Sequence, residues 1–275
     1  MFTLNCKEKI LVIDQPIVMG IINITPDSFF PGSRAGAIDD ILYLADKMIH
    51  DGATILDIGG QSTRPNSDLI PVDDELKRVL PAIQAIHKNF PDQIVSIDTF
   101  YSRVAAEAVQ AGASIVNDVS AGTLDEDMLS TVAKLKTPYV LMHMLGKPQT
   151  MQQNPGYKNV TLEVFDFLNF KIADLVKLGI HDIFIDVGFG FGKTAAHNFQ
   201  LLRELAYFKQ LNKPLMVGLS RKATIYKTLG IGPGEALNGT TVMQTLALLN
   251  GANILRVHDV KEAVEAIKLF MEYKK

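Results

Sequence analysis

Four times in 275 residues a glycine separates an amphipathic stretch from a short apolar run that closes in polar residues: DGATILDIGG, AGASIVNDVSAG, LGIHDIFIDVGFG and NGANILRVHDV. Gly52, Gly112, Gly179 and Gly251 fit the left-handed position just past a helix end, where a side chain costs energy. The stretches before the runs have helical spacing. Ile38, Ile41, Leu42, Ala45, Met48 and Ile49 share one face, and so do Val164, Leu168, Ile172, Leu175 and Val176. The runs themselves are short and rich in Ile and Val, as in strands buried on both faces. IVMGIIN, IVSID, PYVLMHM and PLMVGLS extend the set to eight. Strands alternating with helices make a parallel sheet, and eight repeats at this length favour a closed (β/α)8 TIM barrel over an open sheet. The segment 1–14 reads as an N-terminal hairpin capping the barrel bottom, and 1–275 as a single domain.

Composition narrows the function classes. A formal net charge of −3 argues against a broad nucleic-acid surface. The single cysteine, Cys6, excludes an intrachain disulfide and fits a reducing compartment. No run approaches the ~20 apolar residues that span a bilayer, and the first residues do not read as a signal peptide. The expectation is a cytoplasmic protein with no membrane or nucleic-acid partner.

Catalysis in such a barrel belongs to the C-terminal ends of the strands. Those ends carry Asn23, Asp57, Asp98, Asn117, His143, Asp186, Ser220, Arg256 and His258. A charge there must be paired or must await a ligand. Alternate residues share a strand face, so Arg256 and His258 point together, as do Phe184, Asp186 and Gly188. Asp98, Asn117, Asp186, Arg256 and His258 are therefore read as one convergent pocket, and Asp57 and His143 as structural. Asp259 reads as a helix cap, followed three residues later by Glu262.

The segment DVGFGFGKT looks like a phosphate loop and is not one. The P-loop spacing requires glycine where Val187 stands, and the dinucleotide fingerprint requires it at Lys193. Lys193 and Thr194 instead begin the next helix, and Asp186 is the informative residue. Two polar loops, NITPDSFFPGSR and GGQSTRPNSD, read as lids. After the seventh strand, Arg221 reads as a solvated cation and Lys222 as a nucleophile or a fixed cation for a polar ligand. The six histidines show no paired zinc spacing, so any metal is a hard ion held by oxygens and ligand phosphates.

NITPDSF, DIGGQSTRP, SIDT, VNDVS, DVGFGFGKT, GLSRK and RVHDV occur in the order found in the dihydropteroate synthase family, which the chain resembles from about Ile17 onward. The resemblance implies a (β/α)8 barrel, a homodimer, and condensation of 6-hydroxymethyl-7,8-dihydropterin pyrophosphate with 4-aminobenzoate in folate synthesis, with Mg2+ as cofactor and sulfonamides as inhibitors. It implies that Asp98, Asn117, Asp186 and Lys222 read the pterin edge while Arg256 stacks on its face. It implies that Asn23, Arg256 and His258 hold the pyrophosphate, Asn23 through the metal. It implies that Phe29, Thr63, Pro65, Phe191 and Ser220 receive aminobenzoate, and that Arg64 orders its loop or holds an anion. Asp98, Asp186, Lys222 and Arg256 are the expected catalytic set. The rival readings are a pterin-binding methyltransferase domain that works with a corrinoid protein, a non-catalytic pterin-binding module, and a Schiff-base aldolase acting through Lys222.

Overall fold

The computed structural model describes residues 1–7, 9–24, 34–61, 69–146 and 150–275, with 34–37 as backbone alone. Two strands, β1 (Phe2–Cys6) and β2 (Lys9–Ile13), pair antiparallel as the expected hairpin. The barrel follows: β3 (Ile17–Asn23), β4 (Ile55–Gly59), β5 (Ile94–Asp98), β6 (Ile115–Asp118), β7 (Tyr139–Met142), β8 (Ile183–Asp186), β9 (Leu215–Val217) and β10 (Ile254–Val257). Each strand pairs parallel with its neighbour in sequence, and β10 closes on β3. Between and after the strands run α1 (Arg34–His50), α2 (Val72–Asn89), α3 (Ser102–Ala111), α4 (Met128–Leu135), α5 (Val160–Lys177), α6 (Ala195–Arg203), α7 (Ala223–Leu229), α8 (Leu237–Leu249) and α9 (Val260–Tyr273).

Strand parity builds two apolar layers. Outward residues such as Leu56, Ile97, Val116, Ile185 and Val257 pack against the helices. Inward residues of the lower barrel, among them Met19, Ile55, Ile115, Phe184 and Ile254, meet Leu4, Cys6, Leu11 and Ile13 of the hairpin. The alternate hairpin residues Ile10 and Val12 are exposed, so the ribbon buries one face against the barrel bottom and turns the other to solvent. Lys9 anchors it by donating to the carbonyls of Pro91 and Gln93. Cys6 is buried there as an ordinary apolar residue, and burial pushes its thiol up to about 12.

The four glycines that mark helix ends carry φ between +84° and +125°, as their spacing requires. The helical faces hold with one exception. Val176 is 41% exposed and lies outside the buried stripe formed by Val164, Leu168 and Leu175. The helix cap expected of Asp259 does not form: its carboxylate leaves the backbone of α9 and takes the guanidinium of Arg221 instead. Arg221 is accordingly no solvated cation. It bonds both Asp259 oxygens at 2.9 Å and donates to the carbonyls of Pro233 and Gly234.

Candidate active site

Above the apolar floor the inward-facing residues turn polar. These are Asp57, Ser96, Asn117, Asp186 and Arg256, with Asn23 and Asp98 at strand ends, and Asp98 stands opposite Asn117 in the ladder. These positions share the parity of Ile55, Ile94, Ile115, Phe184 and Ile254 below them, which fixes their direction.

Arg256 organises the near side. Its Nε donates to Asp57 Oδ2 at 2.6 Å and its Nη2 to Asp98 Oδ2 at 2.6 Å. Asn117 Nδ2 donates to the same Asp57 oxygen at 2.9 Å. Burial disfavours the cation, but Asp57 and Asp98 outweigh that and hold Arg256 firmly protonated. Asp98 is pushed up, first by burial, with Asp57 adding to the rise and Arg256 opposing it. Asp57 thus belongs to the site, as the residue that fixes Arg256 and Asn117. Its parity, shared with Asp98, was the available signal. The in-plane bonds of the guanidinium leave its flat faces for a planar ligand.

Lys222 and Asp186 form the far side. Burial raises the Asp186 carboxyl against the opposing charge of Lys222. Burial pulls the Lys222 ammonium down to about 8, with Asp186 opposing. Lys222 is therefore more desolvated than its Ser-Arg flank suggests. Its Nζ donates to the carbonyl of Phe189 and lies 4.6 Å from the centre of the Phe191 ring. A Cβ added to Gly218 would lie 3.8 Å from Lys222 Nζ and 3.9 Å from Asp186 Oδ2, so this glycine keeps open the space between cation and anion. The sequence reading passed over it.

At the rim, Ser220 Oγ lies 3.0 Å from His258 Nδ1 and accepts from the His258 backbone at 3.3 Å. A Cβ on Gly59 would meet Asn23 Oδ1 at 3.5 Å and Asp98 Oδ2 at 3.6 Å, so those two oxygens flank one small open place. Phe29, Thr63, Arg64 and Pro65 lie outside the described residues.

One expectation needs correction. Thr194 does start α6, as an N-cap whose hydroxyl accepts from His197 N. Lys193, however, is not simply the start of a helix: it is 2% exposed and its ammonium lies between two loops. His143, read as structural, is one of its partners.

Residues 19–258 match the family model described as pterin binding enzyme. A dihydropteroate synthase of Escherichia coli is 42% identical over 94% of this chain and 92% of the relative. A Yersinia pestis dihydropteroate synthase, solved as a complex with a sulfonamide drug, superposes with a TM-score of 0.93 at 38% identity, over 99% of each chain. The Xanthomonas albilineans enzyme in complex with 7,8-dihydropteroate gives a TM-score of 0.89 at 37% identity, over 99% of this chain and 98% of the other. Fold and match together define a pterin-binding TIM-barrel enzyme. Within that class, the chain belongs to the dihydropteroate synthase family.

Proposed function

We propose that this barrel joins 6-hydroxymethyl-7,8-dihydropterin pyrophosphate to 4-aminobenzoate, giving 7,8-dihydropteroate and pyrophosphate. The observation that carries the reading is that the inward strand residues Asp98, Asn117, Asp186 and Arg256 gather above an apolar floor, with Lys222 reaching them from the start of α7.

Each group suits one part of a pterin. A carboxylate accepts two parallel N–H bonds, which Asp186 offers to the amino-pyrimidine edge. Asn117 spends one donor on Asp57 and keeps a carbonyl and an N–H for the mixed edge beside it. Lys222 serves the ring carbonyl, and Asp98 takes a further ring N–H. The faces of the Arg256 guanidinium stack on the heterocycle while Asp57 and Asp98 hold it still.

In the reaction the methylene–oxygen bond breaks and its electron pair leaves on pyrophosphate. The electron-rich pterin shares the positive charge, which Asp98 and Asp186 stabilise. Fixed charges of this kind act without reorganisation at the moment of reaction. The neutral aniline nitrogen then forms the carbon–nitrogen bond and releases its proton to solvent or to pyrophosphate. Asn23, Arg256 and His258 hold the leaving group.

Among the described residues no group of three or more His, Cys, Asp or Glu could hold a metal. That suits magnesium, which binds through one or two protein oxygens and keeps substrate phosphates and waters as its other ligands. Asn23 Oδ1, beside Asp98 Oδ2, fits such a role. When bound, the ion supplies positive charge to the pyrophosphate oxygens. Phe191 and Ser220 form the described part of the aminobenzoate site, and Phe29, Thr63, Arg64 and Pro65 complete it in this reading.

The same reading makes residues 1–275 one domain, cytoplasmic and homodimeric. No helix among the described residues is long and apolar enough to cross a membrane. Leu249, Leu269 and Tyr273 on α8 and α9 are 48–77% exposed beside a groove of about 560 Å³, an apolar face that a second copy would cover. Light scattering tests the dimer: a monomer at micromolar concentration contradicts it.

The function is tested by incubating the protein with the pterin pyrophosphate, aminobenzoate and magnesium. Pyrophosphate and dihydropteroate should form in equal amounts. A protein that binds the pterin and releases no pyrophosphate is a binding module instead.

A further inference from the structure

Five consecutive carbonyls leave the end of β8, from Gly188 to Gly192, and each accepts a hydrogen bond from a side chain. Lys193 Nζ donates to Gly188 O at 2.9 Å and to Phe191 O at 3.0 Å. Lys222 donates to Phe189 O, Gln152 to Gly190 O, and Tyr157 to Gly192 O at 2.8 Å. Backbone carbonyls are normally satisfied by other backbone. Here the turn is tight, with positive φ at Gly188, Gly190 and Gly192, and Gly188 O takes a backbone bond as well, from Phe191 N at 3.1 Å.

The turn is also pressed against the segment leaving β7. A Cβ on Gly188 would lie 1.9 Å from His143 O, and one on Gly192 would lie 2.4 Å from Leu145 O. Lys193 fills the remaining gap. Besides its two carbonyls in the turn, its ammonium reaches His143 Nδ1 at 3.0 Å and His143 O at 3.3 Å. Burial pulls Lys193 down to about 7, with Asp186 opposing. In its protonated form the ammonium only donates, so His143 Nδ1 then accepts and the imidazole carries its proton on Nε2. Burial and the neighbouring Lys193 charge pull His143 down to about 3, which keeps it neutral for that task.

This internal cation controls two groups of the site. Gly188, whose carbonyl it holds, donates its N–H to Asp186 Oδ1 at 2.7 Å. Phe191, whose carbonyl it also holds, presents its ring to Lys222. We propose that Lys193 is a positioning residue for the pterin site: it clamps the glycine turn to the chain after β7 and thereby fixes Asp186 and Phe191 for their ligands. The inference rests on the pterin-site reading above and adds a residue that touches neither substrate.

The test uses full-length protein and two probes: a non-reacting hydroxymethylpterin read by its fluorescence, and pyrophosphate with magnesium read by calorimetry. Lys193→Met should lose at least about tenfold in pterin affinity, the loss expected when one charge-assisted hydrogen bond to the ligand is misaligned. Pyrophosphate affinity should stay unchanged, because Asn23 and His258 stand at the ends of β3 and β10, neither of which neighbours β8. Equal loss of both would mark general loosening and overturn the proposal, as would unchanged pterin affinity. If Lys193→Met does not fold, nitrogen NMR of the wild-type protein carries the question. His143 Nδ1 should report a hydrogen-bonded acceptor that shifts when the pterin is added, and a free nitrogen indifferent to pterin would overturn the proposal. A wild-type protein that binds no pterin at all refutes the functional reading itself, which keeps the two failures apart.

Discussion

Arg256 and Asp98, separated by 158 positions in the sequence, meet at 2.6 Å across the mouth of the barrel, and the same guanidinium holds Asp57. Two buried carboxylates thus depend on one cation. Removing a single partner from such a group leaves a buried charge uncompensated, which costs about 3–5 kcal/mol. Arg256→Met should therefore lower unfolding stability by about that amount in urea titration, with turnover lost as well. Adding Asp57→Asn should restore part of the stability and none of the activity. An Arg256→Met protein as stable as wild type would contradict the paired geometry.

Asp98 and Asp186 are expected to stabilise the charge that develops on the pterin as pyrophosphate departs. Asp98→Asn and Asp186→Asn keep the shape and remove the charge. Each should slow turnover by about an order of magnitude or more in single-turnover measurements. A large secondary deuterium isotope effect at the methylene should accompany the reaction, since bond breaking runs ahead of attack. Unchanged rates, or no isotope effect, would favour direct displacement without charge stabilisation.

Gly218 has a role its neighbours define. A methyl group there makes only ordinary contacts with Lys222 Nζ and Asp186 Oδ2, at 3.8 and 3.9 Å, so the free protein accommodates it. The same methyl occupies the space where a ligand would bond both groups. Gly218→Ala should melt within a few degrees of wild type and bind hydroxymethylpterin at least about tenfold more weakly, the loss expected when one charge-assisted hydrogen bond fails. Undiminished affinity would place the ligand elsewhere.

Glu75 on α2 is fully buried, with Thr99 as its side-chain neighbour and no hydrogen bond shorter than 3.5 Å to its oxygens among the described residues. Burial pushes its carboxyl up to about 8 from an ordinary 4.5, and the charge of Asp98 adds to the rise. A raised pKa means that the folded state binds a proton the unfolded state has released. Its contribution is fully present below about pH 4.5 and is lost as pH rises through about 8. Urea unfolding at pH 5 and at pH 8 should show the wild type losing more stability over that interval than Glu75→Gln. Identical slopes would mean that Glu75 is ionised in the folded protein.

Much of this was legible in the sequence, for identifiable reasons. Glycines at helix ends spaced the strands, polar residues at the strand ends marked Asp98 and Asn117, and a period of two set Arg256 beside His258 and Asp186 beside Phe184 and Gly188. The hairpin was legible because two short strand-like runs, FTLNC and ILVID, flank a charged KEK turn. What escaped depends on partners distant in the chain. Nothing local tells that Asp57 meets Arg256, 199 positions away. Asp259 has a capping-box spacing, yet a bidentate bond to Arg221 wins its carboxylate. Lys193 looks like the polar start of a helix, and only the packing of two loops turns it into a buried cation. The resemblance, not periodicity, supplied Phe29, Thr63, Arg64 and Pro65, which lie outside the described residues.

The most direct measurement is a crystal structure of the protein with a bound dihydropterin. The pterin should lie in the mouth with its amino-pyrimidine edge on the Asp186 carboxylate, Asn117 beside it and its ring flat on the Arg256 guanidinium. A pterin bound outside that ring of residues, or bound there with Asp186 turned away, would contradict the account.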